Sequence, residues 1–268
     1  GMKAVLTIAG SDSSGGAGIQ ADIKTIAAHR LYAESVITAL TAQSTRGVFG
    51  VEDVDPAFVA QQIDVVFDDI RPDAVKIGMV SSAPIVEAIA DALERNEAQH
   101  VVVDPVMVAT SGSSLIVDDA VQAIVERLFP LAEVVTPNMP EARVLSGVDI
   151  QTPEDAERAA DVLAELVDAP RLAVLVKGGH GVGDPDSADD LLRTPDGTHV
   201  WLRGARIEND NTHGTGCSLS SAIACGLACG KGVEAAVRDA KRYVAGALAA
   251  GLDLGHGSGP LDHMWEYK

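Results

Sequence analysis

The residues best equipped for chemistry lie in one run, Asn211-Thr212-His213-Gly214-Thr215-Gly216-Cys217, which leads straight into an apolar segment ending at Cys229. Two glycines permit a tight turn, and consecutive N–H groups opening a helix can face an anion, aided by the positive end of the helix dipole. Gly214, Thr215 and Gly216 are therefore candidates to cradle a phosphate, with the Cys217 thiol beside it. A Gly-rich turn carrying a small buried thiol is the plainer alternative.

Other candidates recur at the ends of short apolar runs. Asp104 closes one such run, and Asn138-Met139-Pro140-Glu141 follows another. Carboxylates at neighbouring strand ends can hold Mg²⁺ through its waters while the metal bridges nucleotide phosphates. An Asp at a strand end is also a common cap, and Glu141 also suits a helix N-terminus. Lys177 ends a further run, where a cation can neutralise a transferring phosphoryl group. The stretch Gly10-Ser-Asp-Ser-Ser-Gly-Gly-Ala-Gly18 is glycine-rich but has neither the GK[ST] ending of a P-loop nor a GxGxxG register. It can close over a small molecule as a lid or serve as a structural turn. Acid, carboxylate, lysine and anion-holding turn together form the set that phosphoryl transfer requires, because that reaction rests on positioning and charge neutralisation.

The elements that must position these groups alternate along the chain. Strands are expected over 4–9, 35–41, 74–77, 101–104, 133–136 and 172–177. Helices are expected over 17–29, 56–69, 84–96, 118–128, 140–146, 153–167, 215–229 and 233–250, several with proline near the first turn. Such alternation is the signature of a parallel sheet covered by helices on both faces. Residues 189–193 and 199–203 flank Thr194-Pro195-Asp196-Gly197 and read as a hairpin at an edge or on a nucleotide-side flap. In open parallel sheets ligands bind beyond the carboxyl ends of the strands, where nearly every unusual residue falls.

Composition bounds the function. At 268 residues and 47% hydrophobic content, the chain reads as one α/β domain over residues 1–268, with Gly1 before Met2 an expected remnant of expression. No run approaches the roughly 18 apolar residues of a membrane span, and no secretory segment is read, so a cytoplasmic protein is expected. A net charge of −19 argues against nucleic-acid and anionic-membrane partners, but not against ATP, which needs only local cations and a metal. The three cysteines, Cys217, Cys225 and Cys229, lack CxxC spacing, against both a disulfide framework and a zinc site.

The chain resembles the hydroxymethylpyrimidine and phosphomethylpyrimidine kinases of thiamine biosynthesis, within the ribokinase-like superfamily. The resemblance runs over nearly the whole length: Leu6-Thr-Ile-Ala-Gly-Ser-Asp, Gly15-Gly-Ala-Gly-Ile-Gln-Ala-Asp, Val36-Ile-Thr-Ala-Leu-Thr-Ala-Gln, Lys76-Ile-Gly-Met79, Asp104-Pro-Val-Met107, Thr136-Pro-Asn138 with Glu141, Val176-Lys-Gly-Gly-His180, the opening motif, and Gly255-His-Gly-Ser-Gly-Pro260. It implies a three-layer α/β/α fold with a central, mostly parallel sheet of about eight to ten strands, and a homodimer. It also implies ATP-dependent phosphorylation of 4-amino-5-hydroxymethyl-2-methylpyrimidine, first to the monophosphate and then to the diphosphate.

On the same resemblance, Gln43 would bond the aminopyrimidine edge, and Gly10, Asp22, Met79 and Val106 would help line the pocket. Asp104 and Glu141 would organise Mg²⁺, Lys177 and Thr215 would meet ATP, and Cys217 stands where related sugar kinases carry an aspartate base. Its place at a helix start is expected to lower its pKa from about 8.5. One departure is Val108-Ala-Thr110, where relatives usually carry Lys. A pyridoxal, pyridoxine or pyridoxamine kinase is the nearest alternative, since its substrates are also flat hydroxymethyl heteroaromatics; Gln43, able to donate and accept, favours the aminopyrimidine. A cysteine hydrolase using Cys217 would need His213 as its base and would leave Lys177, Asp104 and Glu141 without roles.

Overall fold

The computed structural model describes residues 1–107, 112, 118–178, 189–204 and 212–268. Among them run nine strands: β1 (Ala4–Asp12), β2 (Tyr32–Ser44), β3 (Gly47–Asp53), β4 (Ala74–Ile77), β5 (Val101–Val103), β6 (Val134–Val135), β7 (Ala173–Val176), β8 (Asp190–Arg193) and β9 (His199–Leu202). The helices are α1 (Gly18–Ala28), α2 (Pro56–Asp69), α3 (Ala83–Arg95), α4 (Asp118–Ala123), α5 (Met139–Ser146), α6 (Pro153–Glu165), α7 (Thr215–Ala228) and α8 (Val233–Ala250).

One sheet takes the order β3-β2-β1-β4-β5-β6-β7-β8-β9. Strands β2, β1, β4, β5, β6 and β7 are parallel, while β3 and the β8–β9 hairpin run antiparallel to their neighbours. Alternation along the strands sends Leu6, Ile8, Val75 and Ile77 into a core under α2, α3, α5 and α6. Their neighbours Val5 and Ala74 pack beneath α1, α7 and α8 on the opposite face. The result is the expected three-layer α/β/α arrangement. The hairpin lies at the sheet edge, with β9 as the terminal strand.

Three elements differ from expectation. β1 continues through Gly10, Ser11 and Asp12, with an irregular register between Ala9 and Ser11, because Ser11 and Asp12 still find partners on β2. β3 was not anticipated: its hairpin with β2 leaves Phe49 and Val51 exposed, so no buried face advertises a strand. Finally, α4 gives way to a π-helical turn, Ile124–Leu128, and a 3₁₀ turn, Phe129–Leu131. Pro130 supplies no N–H and cannot continue the α-helical ladder there.

Chain order reverses between β1, which is followed by β2 on one side, and β4 on the other, so a crevice opens at their carboxyl ends. Residues Gly10–Asp12 and Gly78–Met79 lie at that point.

Candidate active site

Gly214 adopts the left-handed conformation, φ 87°, and caps α7 without any side-chain hydrogen bond. A Cβ there would lie 1.9 Å from the Gly16 carbonyl oxygen, and one on Gly16 would lie 2.2 Å from the His213 ring. The glycine-rich loop and the turn before α7 therefore interlock backbone to backbone. Asp12 secures the join by accepting from His213 Nε2 at 2.7 Å and from the N–H groups of Ser14, Gly16 and Ala17 at 2.8–3.1 Å. Burial opposes a charge on Asp12, but hydrogen bonds from His213, Ser14 and Ala17 hold its carboxyl well below the usual carboxylate range. His213 also donates its N–H to the Gly259 carbonyl at 3.0 Å. His213 Nε2 is thus engaged by Asp12, and no hydrogen bond joins His213 to Cys217 among the described residues.

The first turn of α7 keeps unspent donors. Thr215 turns both its N–H and its hydroxyl to the Thr212 carbonyl, at 3.2 and 2.7 Å, so of the four residues from Gly214 to Cys217 it is the least free to bind an anion. Among the described residues, the N–H groups of Gly216 and Cys217 have no acceptor, as expected for an open helix start. A Cβ on Gly216 would lie 3.3 Å from Lys177 Nζ and 3.7 Å from Asp104 Oδ2. The free donors thus open beside a lysine and a carboxylate.

Asp104 is buried after β5, and its Oδ1 accepts from Lys177 Nζ at 3.2 Å and Thr136 Oγ1 at 3.3 Å. Glu141 forms a capping box with Asn138 at the start of α5 and also accepts from the Met107 N–H at 3.3 Å. Burial pushes the Glu141 carboxyl up to about 7, Lys177 pulling it down and Asp104 adding to the rise. Burial opposes the charge on Lys177, yet Asp104 and Glu141 more than offset this and favour the ammonium. Two buried carboxylates around one cation suit a Mg²⁺ ion, which takes one or two carboxylates together with phosphate oxygens. Asp104 Oδ2, facing Gly216, is the oxygen turned toward the phosphate donors.

Toward the switch point, Gly10 meets Met79: a Cβ on the glycine would sit 3.2 Å from the Met79 sulfur. Thr38 holds the Met79 carbonyl at 2.8 Å, and Thr41, whose hydroxyl donates to the Ser11 carbonyl at 2.8 Å, lies 3.0 Å from the Gln43 amide. Gln43 and Val106 are half-buried. Asp22 behaves differently from these pocket candidates. It has no exposed surface and accepts from Lys76 Nζ at 2.8 and 2.9 Å, Thr7 at 2.5 Å and Ser221 at 2.6 Å. Its carboxylate faces these donors rather than open space.

Cys217 is half-buried. Burial pushes its thiol up, with Lys76 pulling it down and Asp22 and Asp104 adding to the rise. The thiol thus stands above its ordinary value, against the expectation that the helix start would lower it. Thr110, Asn211, Gly179 and His180 lie outside the described residues. A separate surface cavity of about 540 Å³, lined by Lys3, Arg71, Asp73, His100 and Cys229, sits at the opposite ends of the strands and touches none of these groups. No helix among the described residues is long and apolar enough to cross a membrane.

A three-layer α/β/α fold whose carboxyl edge gathers an open helix start, a lysine and two carboxylates is the architecture of the ribokinase-like kinases. The chain belongs to the phosphomethylpyrimidine kinase family, whose sequence model matches residues 12–262. It is 50% identical, over 97% of its length and 94% of the relative's, to the hydroxymethylpyrimidine/phosphomethylpyrimidine kinase of Streptomyces coelicolor. The crystal structure of phosphomethylpyrimidine kinase from Clostridium difficile matches with a TM-score of 0.78 at 43% identity, covering 91% of this chain and 98% of that one. An ADP complex of Bacillus subtilis pyridoxal kinase matches with a TM-score of 0.90 at 34% identity, covering 100% and 99%.

Proposed function

We propose that this kinase transfers the γ-phosphoryl group of ATP to the hydroxymethyl group of 4-amino-5-hydroxymethyl-2-methylpyrimidine, and then a second one to the resulting monophosphate. The observation that carries this reading is the pair of free N–H groups on Gly216 and Cys217, opening beside Lys177 and Asp104. The pyrimidine lies against Gly10, Met79 and Val106 with Gln43 at its amino edge, and Asp22 acts from behind this pocket. ATP phosphates meet Lys177 and the turn 214–217.

In the first reaction Cys217, as thiolate, takes the hydroxyl proton. The alcohol oxygen bonds to the γ-phosphorus as the bond from that phosphorus to the bridging oxygen breaks, and ADP leaves with the electron pair. Donors at Gly214, Gly216 and Cys217 and the Lys177 ammonium face the charge on the moving group. Asp104 and Glu141 would hold Mg²⁺, which supplies charge neutralisation on the phosphates when bound.

Identity of 50% to a pyrimidine kinase against 34% to a pyridoxal kinase favours the pyrimidine, while the close match to the latter's fold keeps pyridoxal as the second substrate to test. We also infer a homodimer formed through the β2–β3 hairpin, where Phe49 and Val51 are exposed on β3, and a cytoplasmic location.

Cys217→Ala and Cys217→Ser test the mechanism. A phosphate acceptor is already largely deprotonated above its second pKa of about 6, so it needs no base. Both variants are expected to lower kcat of the first phosphorylation by about 10²–10⁴ and the second much less. Wild-type kcat for the first step in both would remove Cys217 from the role of base.

A further inference from the structure

Lys76 lies inside a fully buried strand, and among the described residues its hydrogen bonds go to Asp22 alone. Strand alternation turns it, with Thr7, toward α1 and α7, while Val75 and Ile77 face the other core. There it is paired with Asp22, both side chains having no exposed surface. A buried ion pair is weak support for stability, since desolvating two charges costs several kcal/mol and apolar replacements are often as stable. The placement of this pair points to a different role.

Asp22 lies four residues after Gly18 on α1, and Ser221, which donates to Asp22 at 2.6 Å, lies four residues after Cys217 on α7. Residues four apart share a helix face one turn apart, a rise of about 5.4–6 Å. Gly18 and Cys217 therefore each lie one turn from the Asp22–Ser221 contact on their own helix. Lys76 joins that contact from β4.

We propose that Lys76, locked in place by Asp22, is a positioning residue for phosphoryl transfer: its buried ammonium, beneath Cys217, supplies the charge against which the thiolate forms. The proposal rests on the reading of Cys217 as the base. Groups bearing on the thiol are Asp22 from α1, Lys76 from β4, Asp104 after β5 and Lys177 after β7. Among them Lys76 exerts the strongest pull toward the thiolate, and burial, Asp22 and Asp104 act against it. Asp22, Cys217 and Asp104 all favour the enclosed Lys76 ammonium against the burial that opposes it, so its charge does not hang on Asp22 alone.

The test reads the thiol itself. In a Cys229→Ser background, iodoacetamide labelling of Cys217 is followed by peptide mass spectrometry from about pH 6 to 10, for Lys76→Met, Asp22→Asn and the double variant. Lys76→Met is expected to move the labelling profile to higher pH and Asp22→Asn to lower pH. Each shift should be about one unit, or about tenfold in rate at fixed pH. The double variant should fall between them. The first-step kcat of Lys76→Met drops by about tenfold, with KM for ATP unchanged. Circular dichroism confirms folding; should Lys76→Met fail to fold, Asp22→Asn and the double variant decide. Profiles that coincide with wild type, or that shift in the same direction for both single variants, overturn the proposal. Wild-type kcat in Cys217→Ala alongside opposed labelling shifts would instead overturn the base reading and leave the electrostatic link standing.

Discussion

Substitution of Gly214 by alanine separates backbone strain from site geometry. The residue sits at φ 87°, where a Cβ costs about 1–2 kcal/mol. That Cβ would also stand 1.9 Å from the Gly16 carbonyl oxygen, a distance that must open to at least 3.0 Å, so the glycine-rich loop and the turn before α7 have to part by about 1 Å. Gly147 supplies the control, since it is also left-handed at φ 72° but has nothing within 4 Å of its Cβ position. A misplacement of about 1 Å at a reacting centre can cost about 10²-fold in rate. Gly214→Ala is therefore expected to lose about 100-fold in first-step kcat and about 2–4 kcal/mol of stability. Gly147→Ala should lose only about 1 kcal/mol and keep its kcat. Steady-state kinetics and denaturant unfolding on both proteins check this. Equal stability losses, or a Gly214→Ala kcat within about threefold of wild type, would refute the claim that the interlock shapes the anion site.

The Asp12–His213 contact should report in the pH dependence of stability. Because the Asp12 carboxyl is held below its ordinary value of 3.8, its contribution is fully present above that pH and fades as pH falls below it. Asp12→Asn should cost about 3 kcal/mol near pH 7, with the gap closing in acid; a gap independent of pH would contradict the assignment. Glu34 runs the other way. Burial, reinforced by Asp69 and Asp73, pushes it up to about 7, and its Oε1 is buried without a hydrogen-bond partner. Its ionisation costs the folded state stability as pH rises from 4.5 through about 7, so Glu34→Gln should raise Tm near pH 8 and leave it unchanged near pH 4. Equal Tm values at both pH values would show that the carboxyl is free to ionise.

Much of this arrangement could be read from residue order, and the failures have physical causes. The helices over 56–69 and 233–250 match their expected bounds because Pro56 and the Gly232 and Gly251 flanks punctuate them. The strand-end residues Asp104 and Lys177 were legible because each interrupts an apolar run at the carboxyl edge. Lys76 sits inside its strand, and neither propensity nor periodicity shows that a lysine there has an aspartate waiting on a helix 54 residues earlier. Asp12 was similarly hidden: in sequence it belongs to a polar glycine-rich loop, yet its five hydrogen-bond donors, from Ser14 to His213, emerge only when that loop folds against the turn before α7. For Cys217, the helix start was visible in sequence, whereas the burial that raises its thiol, with Asp22 and Asp104, was not.

The most direct test of the account is product-resolved turnover. Purified protein is given Mg·ATP and hydroxymethylpyrimidine, with pyridoxal in parallel, and mono- and diphosphate are followed by mass spectrometry. The account predicts pyrimidine monophosphate first and diphosphate after it, with pyridoxal phosphorylated more slowly if at all. Turnover of pyridoxal alone, or of neither substrate, would contradict it.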